Sequence, residues 1–216
     1  MTYGRNISRY EQAYVASDFE TIQARMRKRK LLEVLGQWKP SRILEIGCGA
    51  DALFKHYRDF ERFVVVEPGS RFAALAQETA GGDSRIRIVR ALMEDAVSEL
   101  AVESFDCIVL SGLLHEVPSC EPLLEAVAKV TKPHTRVHVN VPNARSLHRL
   151  LAIEMGLIQE LHEISQLQLT LQQSRTFDAQ SLASLCERCG FTVVESGSYF
   201  VKPFSHSQMA QLMTSR

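Results

Sequence analysis

The chain has no surplus of charge of either sign: its 216 residues carry 25 Lys and Arg against 25 Asp and Glu. Nucleic acid partners call for a positive field that gathers phosphates, so this balance favours a small ligand and speaks against nucleic acid. Long apolar runs are missing as well. No stretch reaches the roughly 18 apolar residues of a membrane span. The opening MTYGRNISRYEQAY is polar and aromatic where a signal peptide needs an apolar core. Cysteine is sparse and odd in number: Cys48, Cys107, Cys120, Cys186 and Cys189 are spread through apolar or helical stretches. That usage fits free thiols in a reducing compartment, and with the other absences it predicts a cytoplasmic protein. Internal repeats, low-complexity tracts and Pro/Ser linkers are also lacking, so one domain is expected over residues 1–216, its oligomeric state left open.

Several chemistries lack their residues. Cys186-x-x-Cys189 lies in a helical pattern with no second pair, and the histidines outside the segments discussed below (His56, His134, His138, His162, His206) are scattered without carboxylates at ligand spacing. A metal-independent reaction is therefore expected. Neither a G-x-S-x-G elbow nor a P-loop occurs, which removes the common hydrolase and phosphotransferase classes.

What is present is an alternation of short apolar runs with helical patterns. Phe19, Ile22, Met26, Leu31, Leu32 and Leu35 recur at three- and four-residue steps from Asp18 to Trp38, an amphipathic helix that Pro40 stops. RILEIG, RFVVVEP, RIRIVRAL, FDCIVLSG and RVHVNVP follow, separated by helices expected at Ala50–Tyr57, Ser70–Thr79, Met93–Leu100 and Glu121–Val130. Near-continuous Val/Ile/Leu runs between helices mark a parallel sheet covered on both faces, since a half-exposed strand would alternate. The expected fold class is α/β, a doubly wound, mostly parallel sheet. Residues 1–40 would form a helical cover. Residues 143–177 hold SLHRLLAIEMGLI and ELHEISQLQLTLQQ, expected as two helices hinged near Gly156 that form a lid after the fifth strand. A helix at Ala179–Cys189 capped by Gly190, a last strand or strand pair within FTVVESGSYFVKPF, and a short helix in SHSQMAQLM complete the chain.

LEIGCGADALF at residues 44–54 carries the chemistry. Gly47 and Gly49 stand at the first strand-to-helix turn, where a ligand approaches the backbone in an open parallel sheet. A dinucleotide turn wants G-x-G-x-x-G with a pyrophosphate on the helix N-terminus; here Ala52 takes the third position and Asp51 sits where the phosphate charge would go. These departures point to a cofactor with a cationic centre and no phosphate. The second strand ends in VVVEP, and Glu67, 18 residues beyond Gly49, is placed to accept both ribose hydroxyls.

With Glu45-Ile46-Gly47-Cys48-Gly49 and Glu67-Pro68 in place, the chain resembles the class I S-adenosylmethionine-dependent methyltransferases, whose first motif is an acid, one residue, Gly, one residue, Gly. The resemblance covers nearly the whole chain and implies S-adenosylmethionine as cofactor. It also implies that ALMED lies beside adenine, with Leu92 or Met93 on the ring and Glu94 at its edge, and that Ser111 in LSGLLHEV lines the methionine part. TKPHTRVHVNVPN resembles the family's KPGG turn and strand, with His134-Thr135 replacing the glycines. NVPNARSLHRLLAIEMGLI and YFVKPFSHSQM are similar to small bacterial methyltransferases of surface-polysaccharide or nucleotide-sugar pathways. Such a core ends in an antiparallel strand pair, for which few residues remain.

Methyl transfer from a sulfonium asks the protein mainly to position a nucleophile and to take its proton. His115 is the candidate base, its alternative being a structural histidine bonded to backbone. Asn140, Asn143 and His148 flank the end of the fifth strand and are candidate substrate contacts, although Asn143 serves equally as a helix N-cap. Tyr14, with Tyr3 and Tyr10, would cover the cofactor or simply pack. The cluster Arg25, Arg27, Lys28, Arg29, Lys30 is either a solvated helical face or, through Arg25 and Arg29, a hold on the cofactor carboxylate. The expected activity is methylation of an oxygen or nitrogen of a small molecule, a saccharide precursor being the favoured class. The rivals are a nicotinamide-dependent oxidoreductase and a non-catalytic S-adenosylmethionine-binding protein acting through a partner.

Overall fold

The computed structural model describes residue 7 and residues 18–164, 168–169 and 173–214. Five strands form one parallel sheet in the order β3-β2-β1-β4-β5: β1 Arg42–Ile46, β2 Arg62–Val66, β3 Ile86–Val89, β4 Cys107–Ser111 and β5 Arg136–Asn140. The register aligns Glu45 with Val65 on one side and Val109 on the other. The chain winds outward in one direction through β2 and β3 and in the other through β4 and β5. The switch point therefore falls at the C-terminal ends of β1 and β4, where this fold leaves a crevice.

Both faces of the sheet are buried, which is why the strands read as unbroken apolar runs. Ile43, Phe63, Val65, Cys107 and Val109 face Leu31 and Leu35 of helix α1 (Asp18–Trp38), together with Phe54 and Phe60. Leu44, Ile46, Val64, Val66, Ile108 and Leu110 face helices α3 (Met93–Leu100), α4 (Cys120–Val130) and α6 (Ala179–Arg188). Helix α2 (Ser70–Ala80) ends at Gly81, whose φ of 59° makes it the left-handed C-cap. Helix α6 starts with a reciprocal capping box between Asp178 and Ser181. Helix α5 (Leu147–Glu154) follows β5, and α7 (His206–Thr214) packs against α1.

Three expectations are corrected. Residues 50–57 hold only one 3₁₀ turn, Leu53–Lys55, because the Glu45 carboxylate captures the Leu53 amide at 2.9 Å and the consecutive buried residues Ala52, Leu53 and Phe54 leave no helical stripe. No strand follows β5 among the described residues. Residues 192–199 are exposed and make no backbone hydrogen bond to other described backbone, since Val193-Val194 breaks the period of two and Ser196-Gly197-Ser198 offers nothing to bury. The first lid helix is α5, stopping before Gly156 at φ 69°, but residues 161–164 are not helical; residues 165–167 and 170–172 of the second lie outside the described residues. Among the described residues no helix is long and apolar enough to cross a membrane.

Candidate functional site

The site is built at the switch point. Strand β1 delivers Gly47 and Gly49 at φ 73° and 56°, conformations that favour glycine. Gly47 donates its amide to the Val66 carbonyl at 2.9 Å, and a Cβ there would stand 3.2 Å from Leu113, whereas a Cβ at Gly49 would meet nothing within 4 Å. Gly47 is thus closed in by protein, and Gly49 borders open space.

Glu67 ends β2 and is 5% exposed. One carboxylate oxygen accepts from the Gly49 amide at 3.1 Å and the other from the Gly69 amide at 2.8 Å. A buried charge needs such donors, and they fix the carboxylate at the end of β2. Pro68 follows, half-buried. The Cys48 thiol lies 3.8 Å from Glu67; burial first, then the carboxylates of Glu45 and Glu67, push its pKa up, so it stays a neutral thiol. Glu45 is 6% exposed and committed through one oxygen to Leu53; burial pushes its carboxyl up to about 7, against the pull of that hydrogen bond and of Lys28.

Asp51 proves less isolated than its sequence position implies. Lys28 bonds its carboxylate and its carbonyl, the latter at 2.9 Å, while His56 lies at 2.9 Å and Lys55 at 3.5 Å. Burial raises the Asp51 pKa, but Lys28 and His56 together hold it below the ordinary carboxylate value. The case against a diphosphate here therefore rests on a different feature: a single 3₁₀ turn, with no α-helix N-terminus, follows the glycines.

The turn before α3 separates Leu92 from Met93. Met93 is 2% exposed in the core below the sheet's end, while Leu92 is 48% exposed and Glu94 is open on the first turn. Only Leu92 of the pair is placed to meet a ring. On the other side of the crevice, the Ser111 hydroxyl accepts from the Asn140 side-chain amide at 3.0 Å, and the same amide reaches His138 Nε2 at 3.2 Å. Burial lowers the His138 pKa, which keeps that imidazole a neutral acceptor.

His115 follows β4 and is 5% exposed, its Nε2 lying 3.7 Å from a Glu116 oxygen and its carbonyl accepting the Ser174 amide at 3.2 Å. The other two candidate contacts are turned to the surrounding chain. Asn143 is exposed and accepts the Arg145 amide at 2.8 Å; the N-cap of α5 is Ser146, three residues on, which corrects the capping alternative. His148 lies 3.1 Å from the Ser146 hydroxyl and donates its backbone amide to the Lys202 carbonyl at 3.3 Å; burial, then Lys202 and Arg149, push its pKa down to about 4. Tyr3, Tyr10 and Tyr14 lie outside the described residues.

Of the basic cluster on α1, Arg27 turns inward and Arg25 and Arg29 do not. Arg25 is exposed, and Arg29 pairs with Glu33 on the same helix. The Arg27 guanidinium instead lies over Gly112 at the end of β4, 3.1 Å from where a Cβ would stand, and Gly112 has φ 71°. Among the described residues it has no hydrogen bond or ion pair, and the Tyr199 phenol is near enough to sense its charge. Helix phase was the available signal: Leu31 and Leu35 are buried, so residues three and four positions earlier, Arg27 and Lys28, turn inward. Among the described residues no group of histidine, cysteine and carboxylates is arranged to hold a metal ion.

Comparison with known proteins agrees with this geometry. The family model described as a methyltransferase domain matches residues 19–196. No curated protein matches the chain. Solved structures share its fold, among them the following three. A Thermotoga maritima protein described as an S-adenosylmethionine-dependent methyltransferase, possible histamine N-methyltransferase, is 19% identical, with TM-score 0.56 over 86% of this chain and 81% of its own. The 1,6-didemethyltoxoflavin-N1-methyltransferase of Burkholderia thailandensis, solved with S-adenosylhomocysteine and 1,6-didemethyltoxoflavin, is 21% identical, with TM-score 0.59 over 89% and 80%. The N-methyltransferase NodS of Bradyrhizobium japonicum, solved with S-adenosylhomocysteine, is 18% identical, with TM-score 0.55 over 85% and 86%.

Proposed function

The chain belongs to the methyltransferase domain family and is an enzyme that uses S-adenosylmethionine, and we propose that it methylates an oxygen or nitrogen of a small molecule, a saccharide precursor being the favoured class. Bound in the crevice, the cofactor supplies a methyl group already activated on a sulfonium. Glu67, fixed between the Gly49 and Gly69 amides, accepts the ribose hydroxyls. Leu92 would cover the adenine and Glu94 would meet its edge. Gly47, Cys48 and Gly49 would border the amino-acid end, Arg27 would pair with its carboxylate, and Ser111 would line the methionine side.

The observation that carries this assignment is the pairing of a buried, amide-anchored Glu67 with a guanidinium over Gly112 that lacks any hydrogen-bond partner among the described residues. The two sit on opposite arms of the switch point. One suits a diol and the other a carboxylate, the two polar ends of this cofactor.

On the acceptor side, Asn140 holds the Ser111 hydroxyl, and His115, in the turn that follows β4, takes the proton of the attacking group, its Nε2 3.7 Å from a Glu116 oxygen. Among the described residues, the segment after β5 and the segment around Lys202 are tied together where His148 donates its backbone amide to the Lys202 carbonyl, and they serve as the cover over the acceptor side. The test is transfer of a labelled methyl group from S-adenosylmethionine to a panel of hydroxyl and amine acceptors that includes sugar phosphates and nucleotide sugars. Turnover that drops at least a hundredfold in His115→Ala, with S-adenosylhomocysteine affinity unchanged, supports the assignment. Binding without turnover of any acceptor favours a cofactor-dependent partner protein.

A further inference from the structure

A second polar concavity lies outside the crevice. His162, Ile164, residues 174–177 and one face of α6 line a groove of about 480 Å³ whose lining carries two guanidiniums, one imidazole and four hydroxyls, and no carboxylate. Its apolar floor is Leu185 with Phe177. Ser181, Ser184 and Arg188 stand three and four residues apart on α6 and so share a face, and Arg175 lines the same groove from the segment before α6.

The acids around the groove do not saturate these donors. Arg175 and Arg188 both approach the same Glu121 oxygen at 3.7 Å, an ion-pair distance beyond hydrogen bonding. Neither guanidinium makes any other ion pair among the described residues, and the half-buried Ser184 hydroxyl has no partner there. Asp178 is spent on capping α6, one oxygen accepting the Ser181 amide at 2.8 Å, and it faces His162 at 3.7 Å. The two forked cations thus share one carboxylate, Glu121, at ion-pair distance only, while Asp178 is engaged by Ser181 and His162. Forked N–H pairs match the paired oxygens of a phosphate.

We propose that this groove binds a phosphoryl group between Arg175 and Arg188, with Ser184 as a third donor. Ser174 forms part of the wall and also bonds the carbonyls of His115 and Val117, at 3.2 and 2.8 Å. A phosphate held here therefore bears on the loop that carries His115.

The experiment is amide NMR of the full chain titrated with inorganic phosphate and with glucose 1-phosphate, at constant ionic strength, with glucose as the uncharged control. Saturable shifts at Ser181, Ser184 and Arg188 are expected with both phosphates and not with glucose. The Arg175→Gln/Arg188→Gln double variant should weaken binding at least tenfold, and Ser184→Ala about threefold. Tighter binding of glucose 1-phosphate assigns the oxyanion to a larger phosphorylated molecule; equal binding assigns free phosphate. S-adenosylhomocysteine affinity measured on the same samples should be unchanged, which shows that the variants fold and keeps this outcome separate from the methyltransferase assignment. No saturable shift, or a double variant that responds as the wild type does, overturns the proposal.

Discussion

Gly112→Ala isolates the Arg27 contact, because the molecule contains its own control. Gly112 and Gly82 have nearly the same backbone, φ 71° and 82°, so an L-residue at either pays a left-handed penalty of roughly 1–2 kcal/mol. They differ in what the added methyl meets. At Gly82 nothing lies within 4 Å; at Gly112 the methyl stands 3.1 Å from Arg27 Nη1 and 3.2 Å from Cζ. Those atoms end a flexible side chain, so the guanidinium swings away at little cost to folding. Urea midpoints of the two alanine variants should then agree to within about 0.5 kcal/mol, the usual scatter of independent sites. Ligand affinity should not agree. A charge-assisted hydrogen bond is worth about 1.5–3 kcal/mol, so displacing Arg27 should weaken S-adenosylhomocysteine binding roughly tenfold to a hundredfold. It should leave 5′-methylthioadenosine, which lacks the carboxylate, unaffected. Calorimetric titration of both ligands into both variants measures this. Equal affinity of Gly112→Ala and Gly82→Ala for S-adenosylhomocysteine would refute the placement of the carboxylate at Arg27.

The buried Glu45 sets a pH dependence of stability. Its carboxyl is raised from about 4.5 unfolded to about 7 folded, so between those values the folded chain keeps a proton that the unfolded chain has released, and stability falls as pH rises, by at most roughly 3 kcal/mol. Glu45→Gln should flatten urea midpoints between pH 5 and 7; parallel profiles would contradict the burial. His148 acts in the opposite sense: held near 4 against 6.5 unfolded, it contributes a stability gain as pH climbs through that window, and His148→Asn should remove the corresponding loss on acidification. Thiol titration should find Cys48, Cys107 and Cys120 inert in the folded protein, all three being buried with raised pKa values, and at most the half-buried Cys186 and Cys189 reactive. Leu35→Ala, at a fully buried position between α1 and the sheet, should cost about 2–5 kcal/mol in urea denaturation.

The sheet was legible because burial on both faces writes itself as uninterrupted β-branched runs. RFVVVE needs no partner to be recognised, and α1 was bounded by its own periodicity and Pro40. Gly47, Gly49 and Glu67 were legible as a set because the turn and the acid belong to adjacent parallel strands. What escaped depends on contacts distant in sequence. The 3₁₀ turn at Leu53–Lys55 is imposed by Glu45 and by burial of three consecutive residues, which local propensity does not register. Residues 191–204 look like strand by composition, yet Val193 and Val194 cannot both face a core. That Arg27 turns inward while Arg25 and Arg29 face out was available in the helix phase, but it needed Leu31 and Leu35 to be recognised as the buried pair. The separation of Leu92 from Met93 turns on one residue of phase at the start of α3, which sequence alone does not fix.

Calorimetric titration of S-adenosylhomocysteine and of NAD into the wild type and Glu67→Ala tests most directly whether the crevice is shaped for a diol beside a phosphate-free sulfonium cofactor. One molecule of S-adenosylhomocysteine should bind per chain, at least tenfold more weakly in Glu67→Ala, with no heat from NAD. Undiminished binding in Glu67→Ala, or saturable binding of NAD, would contradict it.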